Sequence, residues 1–249
     1  MEPEEELTPP LELPTEDAIA LLERGEITIE GRLVNASNAT LYCAVSADGV
    51  TAACVYKPVA GERPLWDFPD GTLAEREVAA YEVSAASGWG IVPPTVYREG
   101  PAGPGMVQLW IAEDESVDVA QLMRRRDRDE LRRIAVFDAV INNSDRKGGH
   151  LLPHPSGHVY GVDHGVSFHE DDKLRTVLWQ WAGRQLPDDA TEVLRRLRRE
   201  LDGRLGETLF RLLTTAEVRR TKARVDRLLS TRRHPEPSED WPAVPWPPM

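Results

Sequence analysis

Phe137-Asp138-Ala139-Val140-Ile141-Asn142-Asn143-Ser144-Asp145-Arg146-Lys147-Gly148-Gly149-His150 opens as the apolar end of a helix and then breaks into a polar loop. From Asn142 to His150 the chain sets two amides, one acid, two bases, two glycines and a histidine within nine residues. A plain connection between core elements does not need that density of functional groups. Asp163 follows His150 by thirteen residues, at the end of the apolar run from Val159, in Gly161-Val-Asp163-His-Gly165. Asp145 and Asp163 are expected to be the two carboxylates of a phosphoryl-transfer site.

Upstream, the pattern is that of a sheet. Ile27, Ile29 and Leu33 alternate with polar residues, Leu41 to Ser46 forms a second strand, and Ala47-Asp48-Gly49 leads into a third from Val50 to Lys57. Thr72 and Glu75 have the spacing of a capping box for a helix ending near Ser87, with Gly88 beyond it. Ile91 to Tyr97 and Met106 to Ile111 read as two further strands. A short helix from Thr15, capped by that threonine, precedes them. The second half is mainly helical. One helix starts at Ser116, and another is capped by Asp127 and Glu130 and runs to about Asn142. A small hairpin flanks Pro153 to Gly157, and helical patterning runs from Asp188 to Arg233, with a capping box at Thr214 and Glu217.

The predicted class is α+β and two-lobed, with an antiparallel five-stranded sheet carrying one helix, then a mainly helical lobe, and a cleft between them. The expected divisions are an acidic disordered tail at 1–14, a sheet lobe at 15–114, a helical lobe at 115–233 and a Pro/Trp-rich tail at 234–249.

Lys57 ends a buried-looking strand, where an ammonium is desolvated unless it meets an anion. Leu73, Glu77, Tyr81 and Ser84 share one face of the next helix, which puts Glu77 on the side facing the sheet. A strand lysine held by a helix glutamate is how kinase-like folds aim an ammonium at nucleotide phosphates. A kinase catalytic loop follows its acid, after four residues, with a metal-binding amide. Here His150 stands at that position, and imidazole suits Mn2+ better than Mg2+. Asn143 could take part of that work. Asp163 supplies the principal hard oxygen ligand.

The order and wording of these segments resemble the phosphatidylinositol 3-/4-kinase superfamily, in its type II and bacterial kinase-like branches. Val55-Tyr-Lys57-Pro is similar to the phosphate-lysine strand, and Leu73-Ala-Glu-Arg-Glu77-Val-Ala-Ala-Tyr81 to the helix with the ion-pair glutamate. Phe137-Asp-x4-Asn143-Ser-Asp145-Arg146 resembles the Asp-Arg catalytic loop, and Val162-Asp163-His164-Gly165 the metal-binding segment. The resemblance implies a kinase-like fold and an ATP-dependent phosphotransferase using Mg2+ or Mn2+. It makes Asp145 the group acting at an acceptor hydroxyl, with Arg146 beside it. It also implies that Gln108, Trp110 and Ile111 lie on the hinge strand that meets adenine. The loop Asn35-Ala-Ser37-Asn38 lacks the usual glycines over the phosphates, although Ser37 could bond one. No basic, apolar segment for a lipid head group follows Asp163, where His169-Glu-Asp-Asp172 should repel one. The acceptor (lipid, protein or small molecule) is left open.

Two other readings stand beside this one. The missing glycines and His150 fit a nucleotide-binding pseudokinase or regulatory module. Five of the six histidines fall within twenty residues, which brings in a metal hydrolase, but Pro153, Pro155 and Gly157 break any helix that could align them.

Composition narrows the rest. A net charge of -12 argues against a sequence-independent nucleic-acid binder, and seven acids fall in the first seventeen residues. No apolar run approaches the ~18 residues of a membrane span. With no signal pattern, the expected location is cytoplasmic, and Cys43 and Cys54 are read as reduced packing residues. Only four of the thirty basic residues are lysine, which fits a GC-rich genome. The tryptophans of the 234–249 tail could pack back on the helical lobe or bind a protein partner.

Overall fold

In the computed structural model residues 7–33 and 38–249 are described. Helix α1 (Thr15–Arg24) leads to strands β1 (Glu26–Arg32), β2 (Leu41–Ala47) and β3 (Val50–Pro58), then helix α2 (Leu73–Ser87), β4 (Thr95–Gly100) and β5 (Gly103–Leu109). Helices α3 (Val119–Leu122) and α4 (Asp129–Ile141), the hairpin β6 (Leu151–Pro153) and β7 (Val159–Gly161), and helices α5 (Ala190–Glu200), α6 (Arg204–Leu212) and α7 (Thr215–Thr231) follow. The first five strands form one sheet in the order β1-β2-β3-β5-β4, all antiparallel. This is the architecture that the change from period two to helical period predicts. Among the described residues no helix is long and apolar enough to cross a membrane.

The chain divides into two compact units, Met1–Val78 with Pro93–Ala112, and Ala79–Val92 with Glu113–Met249, so the division falls within α2. In the first unit Ala18, Leu21 and Leu22 of α1 pack with Val45, Cys54, Val96 and Val107 of the sheet. Arg98 fixes the end of α1 by donating to Leu22 O and Gly25 O, both at 2.8 Å, where a helix leaves its last carbonyls unpaired. Cys43 and Cys54 are direct cross-strand partners, buried and unbridged. Gly105 lets β5 lie close to β3, since a Cβ there would meet Lys57 O at 2.4 Å. In the second unit Leu131, Ile134 and Phe137 of α4 share one core with Leu194, Leu197, Leu209 and Val225.

Several local expectations shift. Thr8, within the expected tail, is bonded to the sheet, where Glu30 accepts its N–H at 2.7 Å and the Tyr42 hydroxyl donates to its carbonyl. Thr15 is the first helical residue and not its cap. The β1–β2 register shifts between Ile29 and Gly31, and Ile29 stands exposed. The first N–H groups of α2, at Leu73 and Ala74, donate to the Glu62 carboxylate at 3.1 and 2.8 Å. The Thr72 hydroxyl donates instead to Pro69 O. Asp118, not Ser116, caps α3. Asp127 is occupied by Arg125, so α4 begins at Asp129 without a side-chain cap. The Thr214–Glu217 box is present on α7.

His234 begins the tail buried and stacked on Trp181, and its Nε2 has no hydrogen-bond partner. Burial, helped by the nearby Arg132 charge, pushes its imidazole down from the ordinary 6.5 to about 4. As pH falls through that window the unfolded chain takes the proton first. The stability held by a neutral His234 is therefore complete above 6.5 and lost toward 4. Replacing His234 with Phe is expected to flatten an acid loss of about 3 kcal/mol. Urea midpoints measured across that range check it, and equal slopes in parent and variant would refute it.

Candidate active site

In the first unit Lys57 lies on β3 opposite Met106. Its Nζ meets Glu77 Oε1 at 2.6 Å, with side-chain exposures of 17% for the lysine and 2% for the glutamate. A carboxylate this buried needs a counter-charge, and the strand lysine supplies it. The pairing anticipated from the helical face of Glu77 is therefore present. Gln108 lies inside the sheet, opposite Val55 on one side and Thr95 on the other, and its amide donates to Thr95 Oγ1 at 2.8 Å. The ladder's last bond runs from Trp110 N to Ala53 O at 3.0 Å, and the Trp110 ring meets Tyr42 edge-on. Of the anticipated hinge residues Gln108 is thus enclosed, and Ile111 is where the chain leaves the sheet. Ser37 lies outside the described residues.

In the second unit α4 ends at Asn142, which takes the left-handed conformation (φ 54°). Its amide donates to His169 O and Asp171 O, and its Oδ1 accepts from Lys173 N, so the loop is fastened to the 169–173 segment. The anchor beneath is Asp138, a residue that periodicity assigned only to a helix. It is fully buried and binds Arg146, also fully buried, with Nη2 2.9 Å and Nε 3.0 Å from its carboxylate oxygens. The same guanidinium donates to His150 O at 3.3 Å and Val162 O at 3.0 Å. Arg146 therefore ties together the two segments that carry Asp145 and Asp163, and its donors are spent on doing so. Asn143 is buried as well, donating to Asp138 Oδ1 and accepting the Asp145 N–H, both at 3.0 Å.

Two carboxylates stay accessible. Asp145 is 28% exposed with Lys147 Nζ 3.0 Å from its Oδ2, and Asp163 is 49% exposed at a left-handed bend (φ 60°). Such oxygens fit a hard divalent cation. His150 lies against the loop and Asp163. Its Nδ1 faces the Lys147 N–H at 3.5 Å, and its Nε2 lies 3.3 Å from Asp163 Oδ2. Burial lowers its pKa, and the Asp163 charge opposes that shift. Both ring nitrogens thus face groups of the protein itself, Lys147 N and the Asp163 carboxylate. His150 and Asn143 contact the loop that carries these carboxylates, and Asp145 and Asp163 remain partly exposed.

The histidine cluster disperses. His154 pairs with Ser156, His158 with Gly90 O, His164 with Arg146, and His169 lies near Lys173. Among the described residues no three His, Cys, Asp or Glu side chains gather as a metal cage. The acidic stretch at 169–172 is also not bare. Arg224 and Arg227 of α7 reach Asp172 at 3.1 and 2.8 Å, and hold its carboxyl below the usual range although burial opposes this. The Asp172 charge is thus balanced by α7, while the Asp171 side chain stays 66% exposed.

No protein-family model matches the chain. It is 43% identical, over a 267-residue alignment covering 93% of this chain and 95% of the relative, to Protein Rv2133c of Mycobacterium tuberculosis. Among solved structures it is similar to the Golgi casein kinase with Mn/ADP bound, with a TM-score of 0.56, 14% identity and coverage of 88% of this chain and 75% of that one. It is also similar to the Helicobacter pylori proinflammatory kinase CtkA, with a TM-score of 0.50, 10% identity and coverage of 84% and 93%. At these identities the likeness establishes the fold, which is kinase-like.

Proposed function

We propose that this chain, which belongs to the family of the mycobacterial Protein Rv2133c, is an ATP-dependent phosphotransferase of the phosphatidylinositol 3-/4-kinase-like type. The observation that carries the reading is the Lys57–Glu77 pair, an ammonium held at 2.6 Å by a buried carboxylate within a kinase-like fold. Lys57 is assigned to the nucleotide phosphates, and Glu77 holds it in place. Asp145 takes the proton of an acceptor hydroxyl as its oxygen bonds the terminal phosphorus and the bond to the leaving ADP oxygen breaks. A divalent cation, Mg2+ or Mn2+, neutralises phosphate charge when bound, and Asp163 is its principal ligand. Ser37, Trp110 and Ile111 are assigned to the nucleotide, with adenine beyond the end of the β5 ladder. The neighbour named as holding Mn/ADP supports a nucleotide and a divalent metal. The acceptor is an alcohol on a lipid, a protein or a small molecule.

A regulatory module that binds nucleotide without transferring phosphate is the second reading. It is favoured by one observation, that His150 and Asn143 are spent on hydrogen bonds within the protein. ATP with Mg2+ or Mn2+ at a hundredfold excess over Kd should stabilise the protein by about 2.7 kcal/mol, read as a rise in Tm. Asp163→Ala should remove most of that rise. An unchanged metal-dependent rise in Asp163→Ala would sink the metal assignment. Transfer of labelled phosphate in a single turnover separates the enzyme from the module.

A further inference from the structure

We propose that residues 241–249 form a brace that positions the catalytic loop from its Gly148 side, an inference that rests on the phosphotransferase reading. The tail is proline-rich and without period, yet it follows a defined course. The Trp241 ring lies 4.5 Å from Lys173 Nζ. Ala243 O accepts two bonds, from Thr176 N at 3.1 Å and Trp179 Nε1 at 2.7 Å. Pro248 O then accepts the Gly148 N–H at 2.8 Å. Met249 packs against the same glycine, where a Cβ would meet its Sδ at 2.4 Å and Met123 Cε at 3.0 Å. A side chain at 148 would have to push aside the flexible ends of both methionines.

The brace also acts through a second layer. Arg175 N donates to Asn143 O, Arg146 N to Arg175 O, and Val177 N to Arg146 O, at 3.0 to 3.1 Å. The 175–177 segment thus lies against the loop, and Ala243 holds Thr176 in turn. Gly148 sits between Lys147, which contacts the Asp145 carboxylate, and His150, which contacts that of Asp163. Fixing Gly148 therefore fixes both neighbours that orient the acids. The tail's bonds fall on Gly148, Thr176 and Trp179, and the Asp145 carboxylate stays 28% exposed, so the segment supports the loop without plugging the site.

The test uses the full chain with Met249→Asp, which sets a carboxylate against Met123 Cε, and Met249→Leu, which keeps an apolar contact. Hydrogen exchange over residues 147–151 is expected to quicken about tenfold or more in the Asp variant and to stay at the parental rate in the Leu variant. Turnover of Mn-ATP should fall on the order of a hundredfold in kcat with KM for ATP little changed, as misplacement of reacting groups produces. Parental exchange in Met249→Asp, or faster turnover on releasing the tail, overturns the proposal. Should the parent transfer no phosphate, the phosphotransferase reading fails while the exchange rates still decide the brace. If Met249→Asp does not fold, Trp179→Phe, which deletes one donor to Ala243 O, gives the same exchange test.

Discussion

Asp145→Asn is expected to lower phosphoryl transfer by roughly 10²–10⁴-fold, the usual contribution of a positioned general base, while leaving the fold and nucleotide binding in place. The geometry makes the substitution specific. The backbone N–H of Asp145 is held by Asn143 Oδ1, so the loop's path does not depend on the side chain. The carboxylate's own partner is Lys147 Nζ at 3.0 Å, in a pair that water reaches from both sides. Such pairs are worth about 0 to 1 kcal/mol, so Tm should move little. Asparagine keeps the shape and an oxygen acceptor but does not take the hydroxyl proton. Single-turnover transfer from labelled ATP, alongside the ATP-dependent rise in Tm, reads both quantities. Transfer within about threefold of the parent would remove Asp145 from the chemistry.

The Lys57–Glu77 contact and the small hairpin were legible in the sequence because their signals are local. The helical spacing of Leu73, Glu77 and Tyr81 placed Glu77 toward Lys57, and a 2.6 Å pair is what that face makes. The β6–β7 hairpin followed from apolar runs either side of Pro153 to Gly157. What stayed hidden depends on distant partners. Glu62 caps α2 from eleven positions upstream, so a plausible Thr72–Glu75 box gave no hint of it. Asp138 reads as one polar residue within a helix of apolar ones, and only its burial with Arg146 reveals the anchor of the loop. An unexplained acid inside such a buried stretch was the available signal. The tail from His234 has no period because prolines exclude one, and its docking is carried by single carbonyls at Ala243 and Pro248. The contacts of His150 are set by Lys147 N and Asp163, which spacing does not specify.

Removing Asp138 should separate the loop's stability from its alignment. Asp138→Leu leaves the Arg146 guanidinium buried without its carboxylate, and an uncompensated charge of that kind costs about 3–5 kcal/mol. Asp138 also accepts from Asn143 Nδ2, so the single change strands a second donor. Replacing both partners, as Asp138→Leu with Arg146→Met, takes away the charge together with its counter-charge. Apolar replacements of buried pairs are often neutral, so the double variant should recover the part of the loss due to the unpaired charge and stay below the parent, because Asn143 Nδ2 and the carbonyls of His150 and Val162 remain unpaired. Function should not return with it. His150 O and Val162 O lose their common donor, and the segments bearing Asp145 and Asp163 are no longer tied to one group. Urea unfolding of the parent, both single variants and the double variant gives the coupling energy, and phosphate transfer by the same four proteins gives the alignment. A cost below about 1 kcal/mol for Asp138→Leu would show the pair to be incidental. Parental transfer in the double variant would show that Arg146 serves stability alone, and that the two acids are held in register by the 175–177 segment and the tail.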